Sequence, residues 1–210
     1  MSPVRLLLFD VGNVLLRLKT DAFLGKVHAA CPALAPAVMA EELKRKDGAH
    51  WLFEEGKASF DDFHGDLVQR FGLSWDRAVL LSHWLDYFDR NEPMEALVSE
   101  LSASSFPMAV LSNTNEAHYN DFTLRYSIFG PIAPIIGSHQ VGHRKPSRQC
   151  FEAALGLLQL PGSAIYYVDD LFANVETARS VGMQAYHYCF DDALLRKALI
   201  QAGLPVTAAS

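Results

Sequence analysis

Residues 106–203 decide the fold: FPMAVLS (106–112), NEAHYNDFTLRY (115–126), APIIGS (133–138), SRQCFEAALGLL (147–158), AIYYVDD (164–170), LFANVETARSVG (171–182), MQAYHY (183–188) and DDALLRKALIQAG (191–203). Short apolar runs alternate with longer segments of helical period. That alternation implies a parallel sheet with helices on both faces, a Rossmann-like three-layer α/β/α core. Ser147 reads as a helix cap, Gly182 as a helix stop, and Asp191 or Asp192 as the cap of the last helix. Further towards the N-terminus, Pro93 opens the helix MEALVSELSA (94–103), since proline is well tolerated at a first helical position. VRLLLF (4–9) is another apolar run, interrupted only by Arg5 and broken by Gly12 and Asn13.

Between Thr20 and Arg90 the character changes, with helical periodicity and no strand-like run. Ser59 reads as the N-cap of FDDFHGDLVQRF (60–71), where Phe60, Phe63, Leu67 and Phe71 recur at helical spacing. Ser74 is expected to cap the helix that follows it, with Asp76 and Arg77 in its first turn. This block reads as a helical bundle inserted after the first strand.

The chain has 210 residues, half of them hydrophobic, with a formal net charge of −6 and a pI near 5.7. An acidic balance argues against nucleic acid as the partner, which calls for a basic patch. His143, Arg144 and Lys145 still make a basic spot suited to an anion. Cys31, Cys150 and Cys189 have no metal-finger or CxxC spacing and read as buried thiols in a reducing compartment. No secretory signal and no membrane span is evident, so a cytoplasmic protein is expected.

Four clusters fall where strand-like runs end: Asp10 in FDVGN, Ser112 and Asn113 in LSNTN, Lys145 in HRKP, and Asp169–Asp170 in YYVDD. A parallel sheet gathers such strand ends along one edge, where the fold binds ligands. Carboxylates suit a hard divalent cation; a hydroxyl, backbone N–H groups and an ammonium suit phosphate. A carboxylate can also act as a nucleophile towards phosphorus. Adjacent Asp169 and Asp170 repel, and a cation is the natural way to keep both ionised. Asn174, four residues past Asp170, falls on the same helix face and could support that loop. Taken one at a time, each cluster reads equally well as a turn cap or a solvated lysine.

Together, FDVGNVL, LSNTN, RKP and DDLFANVE resemble the motifs of the haloacid dehalogenase-like hydrolase superfamily, in the branch of sugar-1-phosphate phosphatases and the N-terminal phosphatase domain of soluble epoxide hydrolase. The resemblance implies a core of residues 1–16 and 91–210 with a helical cap of 17–90, and a first strand lying between those that carry Ser112 and Asp170. It implies that Asp10 is the nucleophile. Magnesium would be held by Asp10, the Gly12 carbonyl and Asp170, with Asp169 assisting directly or through water. Ser112, the Asn113 N–H and Lys145 would bind phosphate, and Lys145 would screen Asp10 from the acidic pair. The expected substrate is a small phosphorylated metabolite, such as a sugar phosphate.

One departure stands out: where family phosphatases usually carry an aspartate as general acid and base, this chain has Gly12. Such help is typically worth about 10²–10⁴-fold, so slow turnover is expected. Gly12 also suits a metal-independent 2-haloacid dehalogenase, or a catalytically weak binding or regulatory member of the fold. Lys44, Arg45, His50 and Trp51 read as a solvated basic helix end beside a core tryptophan, with contact to a sugar or another phosphate ester as the alternative. No pattern chooses between a monomer and a homodimer.

Overall fold

The computed structural model describes residues 3–208. Its main sheet comprises β1 (Leu6–Phe9), β4 (Met108–Ser112), β5 (Ile135–Gly137), β6 (Ile165–Asp169) and β7 (Gln184–His187). All pairings are parallel, in the order β5-β4-β1-β6-β7. A central strand buried on both faces must be apolar at every position, and β1, LLLF, is. Alternate side chains serve two cores. Leu7, Phe9, Val110 and Val168 face one core, with Leu97 and Leu101 of α6 (Glu92–Ala103) and Leu195 and Leu199 of α11 (Asp192–Gln201). Leu6, Leu8, Leu111 and Tyr167 face the other, with Phe151 and Ala154 of α9 (Arg148–Leu158) and Ala178 of α10 (Phe172–Ser180).

The register aims the chemistry. Phe9 pairs with Val110 and with Val168, so the next residue, Asp10, stands level with Leu111 and Asp169. Asp10 keeps the phase of Leu6 and Leu8, and Asp169 keeps that of Ile165 and Tyr167. Both carboxylates therefore leave the sheet on the face where the Lys145 loop arrives.

Five helices follow β2 (Leu16–Leu18): α1 (Thr20–Ala30), α2 (Pro36–Lys44), α3 (Ala49–Glu54), α4 (Phe60–Phe71) and α5 (Arg77–Leu85). Their own core packs Phe23, Phe53, Phe63, Leu67, Leu80 and Trp84. Trp84 is 2 % exposed and meets Phe23 and Phe63 with ring centroids 5.1 Å apart; truncating such a residue to alanine costs about 3–5 kcal/mol. Two details differ from the sequence reading. The chain leaves and re-enters through a two-stranded antiparallel ribbon, β2 with β3 (Phe88–Arg90), whereas no strand was expected between Thr20 and Arg90. Each strand has three residues, too few to display a period. The N-cap of α5 is Asp76, whose carboxylate accepts from the Val79 N–H at 2.9 Å, and not Ser74.

The helical module is fastened to the sheet layer. The Ser138 hydroxyl donates to Glu54 O at 2.6 Å, and His118 Nε2 lies 2.8 Å from Trp84 O with its ring stacked on the indole. Gly56 adopts φ +67°, and a Cβ there would sit 2.2 Å from His139 O, so only glycine permits this approach.

Candidate active site

A cavity of about 320 Å³ opens between the carboxyl edge of the sheet and the helical module. The floor comes from the sheet layer: Asp10, Gly12, Asn13, Ser112, Asn113, Lys145, Asp170 and Asn174 all line it. The residues singled out in the sequence thus meet in one place, Asp169 lying directly beneath with 0 % exposure.

Lys145 organises the floor. It is 3 % exposed, and its Nζ lies 2.8 Å from both Asp10 Oδ1 and Asp169 Oδ2. It also donates to Leu111 O at 2.8 Å and to the Tyr167 hydroxyl at 3.0 Å. Burial alone would drive the ammonium down, but Asp10 and Asp169 reverse that and hold it above the usual lysine range. The Asn113 side chain fixes the loop, accepting from Lys145 N at 2.7 Å and donating to Lys145 O at 2.9 Å. The sequence motif implies a backbone role alone for Asn113.

Asp10 Oδ1 also accepts from the Val11 N–H at 2.7 Å. Burial raises the Asp10 carboxyl to about 7; Lys145 opposes the shift, and Asp169 and Asp170 add to it. Asp170 is likewise raised by burial, against a hydrogen bond from Asn13 Nδ2 at 3.2 Å. Asn13 holds a left-handed φ of 56°, which asparagine tolerates; that turn brings its amide to Asp170, a contact no motif announced.

Asp10, Asp169 and Asp170 each present an oxygen within 4.8 Å of the others, a fit for one divalent cation. The oxygens of Asp169 are already engaged. Oδ2 takes Lys145 and Tyr167, and Oδ1 takes the Leu171 N–H at 2.8 Å; Asn174 Nδ2 lies 3.0 Å from both. Asn174 therefore supports Asp169 and not Asp170. No motif marks Tyr167, because an aromatic inside an apolar strand reads as core and only its hydroxyl reaches the site.

The walls come from the helical module. Glu54, 8 % exposed, pairs with Arg144 at 2.7 Å (Nε to Oε2), with an angle poor for a hydrogen bond, so the attraction is mainly Coulombic. The Arg144 guanidinium lies 3.8 Å from the centroid of Trp51. The expected solvated end holds for Lys44 and Arg45, which are exposed, but Trp51 is half-buried beneath Arg144 and not in a core, and His50 is buried against the cavity. Glu54 is not legible in the sequence, as ninety residues separate it from Arg144.

Residues 4–182 match the sequence model of the haloacid dehalogenase-like hydrolases. Among curated proteins, the chain is 23 % identical over 194 residues to a D-ribitol-5-phosphate phosphatase of Bacteroides thetaiotaomicron, covering 87 % of this chain and 91 % of that one. It is 24 % identical over 136 residues to a sesquiterpene phosphatase of Aspergillus oryzae, covering 64 % and 69 %. Among solved structures it resembles a B. thetaiotaomicron enzyme crystallised with magnesium and inorganic phosphate, at TM-score 0.72 and 20 % identity, covering 87 % and 93 %.

Proposed function

Because the chain belongs to the haloacid dehalogenase-like hydrolase family, we propose that it hydrolyses phosphate monoesters of small alcohols with magnesium, through an aspartyl-phosphate on Asp10. The observation that carries this reading is the floor itself: a carboxylate at a strand end, 2.8 Å from a buried ammonium and within reach of two further carboxylates. Two phosphatases among the curated relatives support it.

Asp10, the Gly12 carbonyl and Asp170 would hold magnesium, with Asp169 acting through its hydrogen bonds. When bound, the cation supplies the positive charge that lets phosphate approach the carboxylates. Lys145 and the Ser112 hydroxyl, with the Asn113 N–H, orient the phosphate oxygens. A carboxylate oxygen of Asp10 attacks phosphorus, the P–O bond to the alcohol breaks, and the departing oxygen takes its proton from water, since Gly12 offers none. A second water then hydrolyses the aspartyl-phosphate, releasing phosphate and restoring Asp10. The helical module, residues 17–90, acts as a cap that shuts bulk water out.

Phosphate release should be measured over sugar, polyol and alkyl phosphates with magnesium, using Asp10→Asn as the blank. Release that survives EDTA, or equals the blank, refutes the reading.

A further inference from the structure

The two ends of the cavity differ in chemistry. Away from the floor its walls are Leu18, Ala40, Leu43, Trp84, Tyr87 and Phe88, contributed by the helical module and the ribbon that carries it. Most polar groups between them are already spent on one another. The Thr20 hydroxyl is 3.0 Å from that of Tyr87. His50 gives Nδ1 to Leu43 O at 2.8 Å, and His118 gives Nε2 to Trp84 O at 2.8 Å. Glu54 and Arg144 balance each other's charge without a hydrogen bond between Nε and Oε2. What remains is Glu54 Oε2, Arg144 Nε and Nη1 and the Trp84 indole N–H, buried without a hydrogen-bond partner among the described residues, and His50 Nε2, 3.7 Å from Glu54 Oε1. They belong to four side chains, whereas Leu18, Ala40, Leu43 and Phe88 offer a hydroxyl no side-chain partner.

We infer that the compartment above Asp10 takes the apolar body of the leaving alcohol, so that the preferred substrates are phosphate monoesters of short branched or unsaturated hydrocarbon alcohols and not of polyols or sugars. The inference rests on the phosphatase reading and narrows it to one substrate class. An alkyl group entering this space displaces water from apolar walls, whereas a polyol must give up hydration at each carbon and finds few partners. A volume of about 320 Å³ suits a small ligand and sits at the low end of the usual range. Lys44, which also lines the cavity, is exposed.

Two assays test this. The first compares kcat/KM for isopentyl phosphate and glycerol 3-phosphate, both primary alkyl esters, so intrinsic leaving-group reactivity does not favour the former. The expected ratio is about a hundredfold or more in favour of isopentyl phosphate, the order of discrimination a hydrophobic pocket achieves against a hydroxyl. Leu43→Asn should cut that ratio about tenfold or more. The second measures binding calorimetrically, with magnesium, for the non-hydrolysable isopentylphosphonate and 3,4-dihydroxybutylphosphonate; the former should bind at least about tenfold tighter. A glycerol ester that matches or beats isopentyl phosphate overturns the inference, as does binding of neither phosphonate or of both equally. If no ester releases phosphate but isopentylphosphonate still binds tighter, the phosphatase reading fails and the apolar compartment stands.

Discussion

Gly12→Asp tests whether the missing acid limits turnover, and the structure says how the test should be built. Gly12 has no left-handed φ, so its backbone accepts an L-residue. Space is the obstacle. A Cβ at position 12 would meet Leu18 Cδ1 at 3.3 Å and Cδ2 at 3.4 Å. The place of the absent carboxylate is roofed by an aliphatic side chain. Leu18 can give by a few tenths of an ångström, but a carboxylate pressed beneath it is desolvated and displaced, and a misplacement of ~1 Å costs about 10²-fold in catalysis. The acid itself is worth about 10²–10⁴-fold. Gly12→Asp alone should therefore raise kcat for isopentyl phosphate by about tenfold at most, with a stability cost of about 1–3 kcal/mol from overpacking. In Gly12→Asp/Leu18→Ala the roof is gone, and kcat should exceed that of Leu18→Ala by about 10²-fold or more. Phenyl phosphate, whose leaving group needs little protonation, should gain much less. Steady-state phosphate release on both esters and thermal denaturation of all variants supply the comparison. A double variant that gains under tenfold on the alkyl ester would refute the argument that position 12 is where acid catalysis was lost.

Lys145→Met removes the only ammonium in contact with Asp10 and Asp169 among the described residues; it should abolish turnover and cost about 3–5 kcal/mol of stability. Magnesium should restore part of the melting temperature, and a variant that melts with the wild type would contradict this. Asn174→Leu takes away the amide shared by the Asp169 oxygens, and the magnesium concentration for half-maximal activity should rise about 10–100-fold. An unchanged titration would remove Asn174 from the metal's support. His118 is buried, and desolvation lowers it from 6.5 to about 3 despite its bond to Trp84 O. Between those values the unfolded chain binds the extra proton, so His118's contribution to stability is whole above pH 6.5 and is lost as pH falls towards 3. Between pH 8 and pH 5 the wild type should lose about 2 kcal/mol more than His118→Phe in denaturant unfolding; parallel pH curves would count against the buried neutral ring.

Much of the fold is written locally. β1, β4 and β6 are legible because strands buried on both faces are apolar up to the residue that closes them, and Ser59, Ser147 and Asp191 cap the helices that follow them. The β2–β3 ribbon is not legible. It carries exposed Arg17, Asp89 and Arg90 in three-residue strands, held by pairing across some seventy residues. Ser74 and Asp76 are equally good caps by type, and the choice falls to Asp76 because the helix begins at Arg77. On the floor of the site, Asp10, Ser112, Asn113, Asp169 and Asp170 close or directly follow a strand and Lys145 sits beside proline, positions that topology then aims. The walls depend on how the helical module docks. Glu54 becomes a site residue only because Arg144 meets it, and His50 turns inward only because α3 lies over the cavity.

Charge favours the proposed cation-assisted phosphatase among the chemistries that Gly12 leaves open. Three carboxylates against one ammonium leave the floor two negative charges in excess, and the Glu54–Arg144 pair adds none. A unit charge ~4 Å from another, at an effective dielectric near 20, is worth about 4 kcal/mol. A phosphate dianion entering that field is repelled by more than Lys145 returns. A 2-haloacid is also an anion, so metal-free dehalogenation would face this barrier, and Asp170 would only heighten it. A divalent cation balances the floor and turns Asp170 from a burden into a ligand. The second acid of the pair thus has a purpose in a cation-assisted phosphatase and none in a dehalogenase. Asp170→Asn distinguishes them: it should abolish magnesium-dependent phosphate release, whereas a dehalogenase would keep or gain activity on 2-chloropropionate.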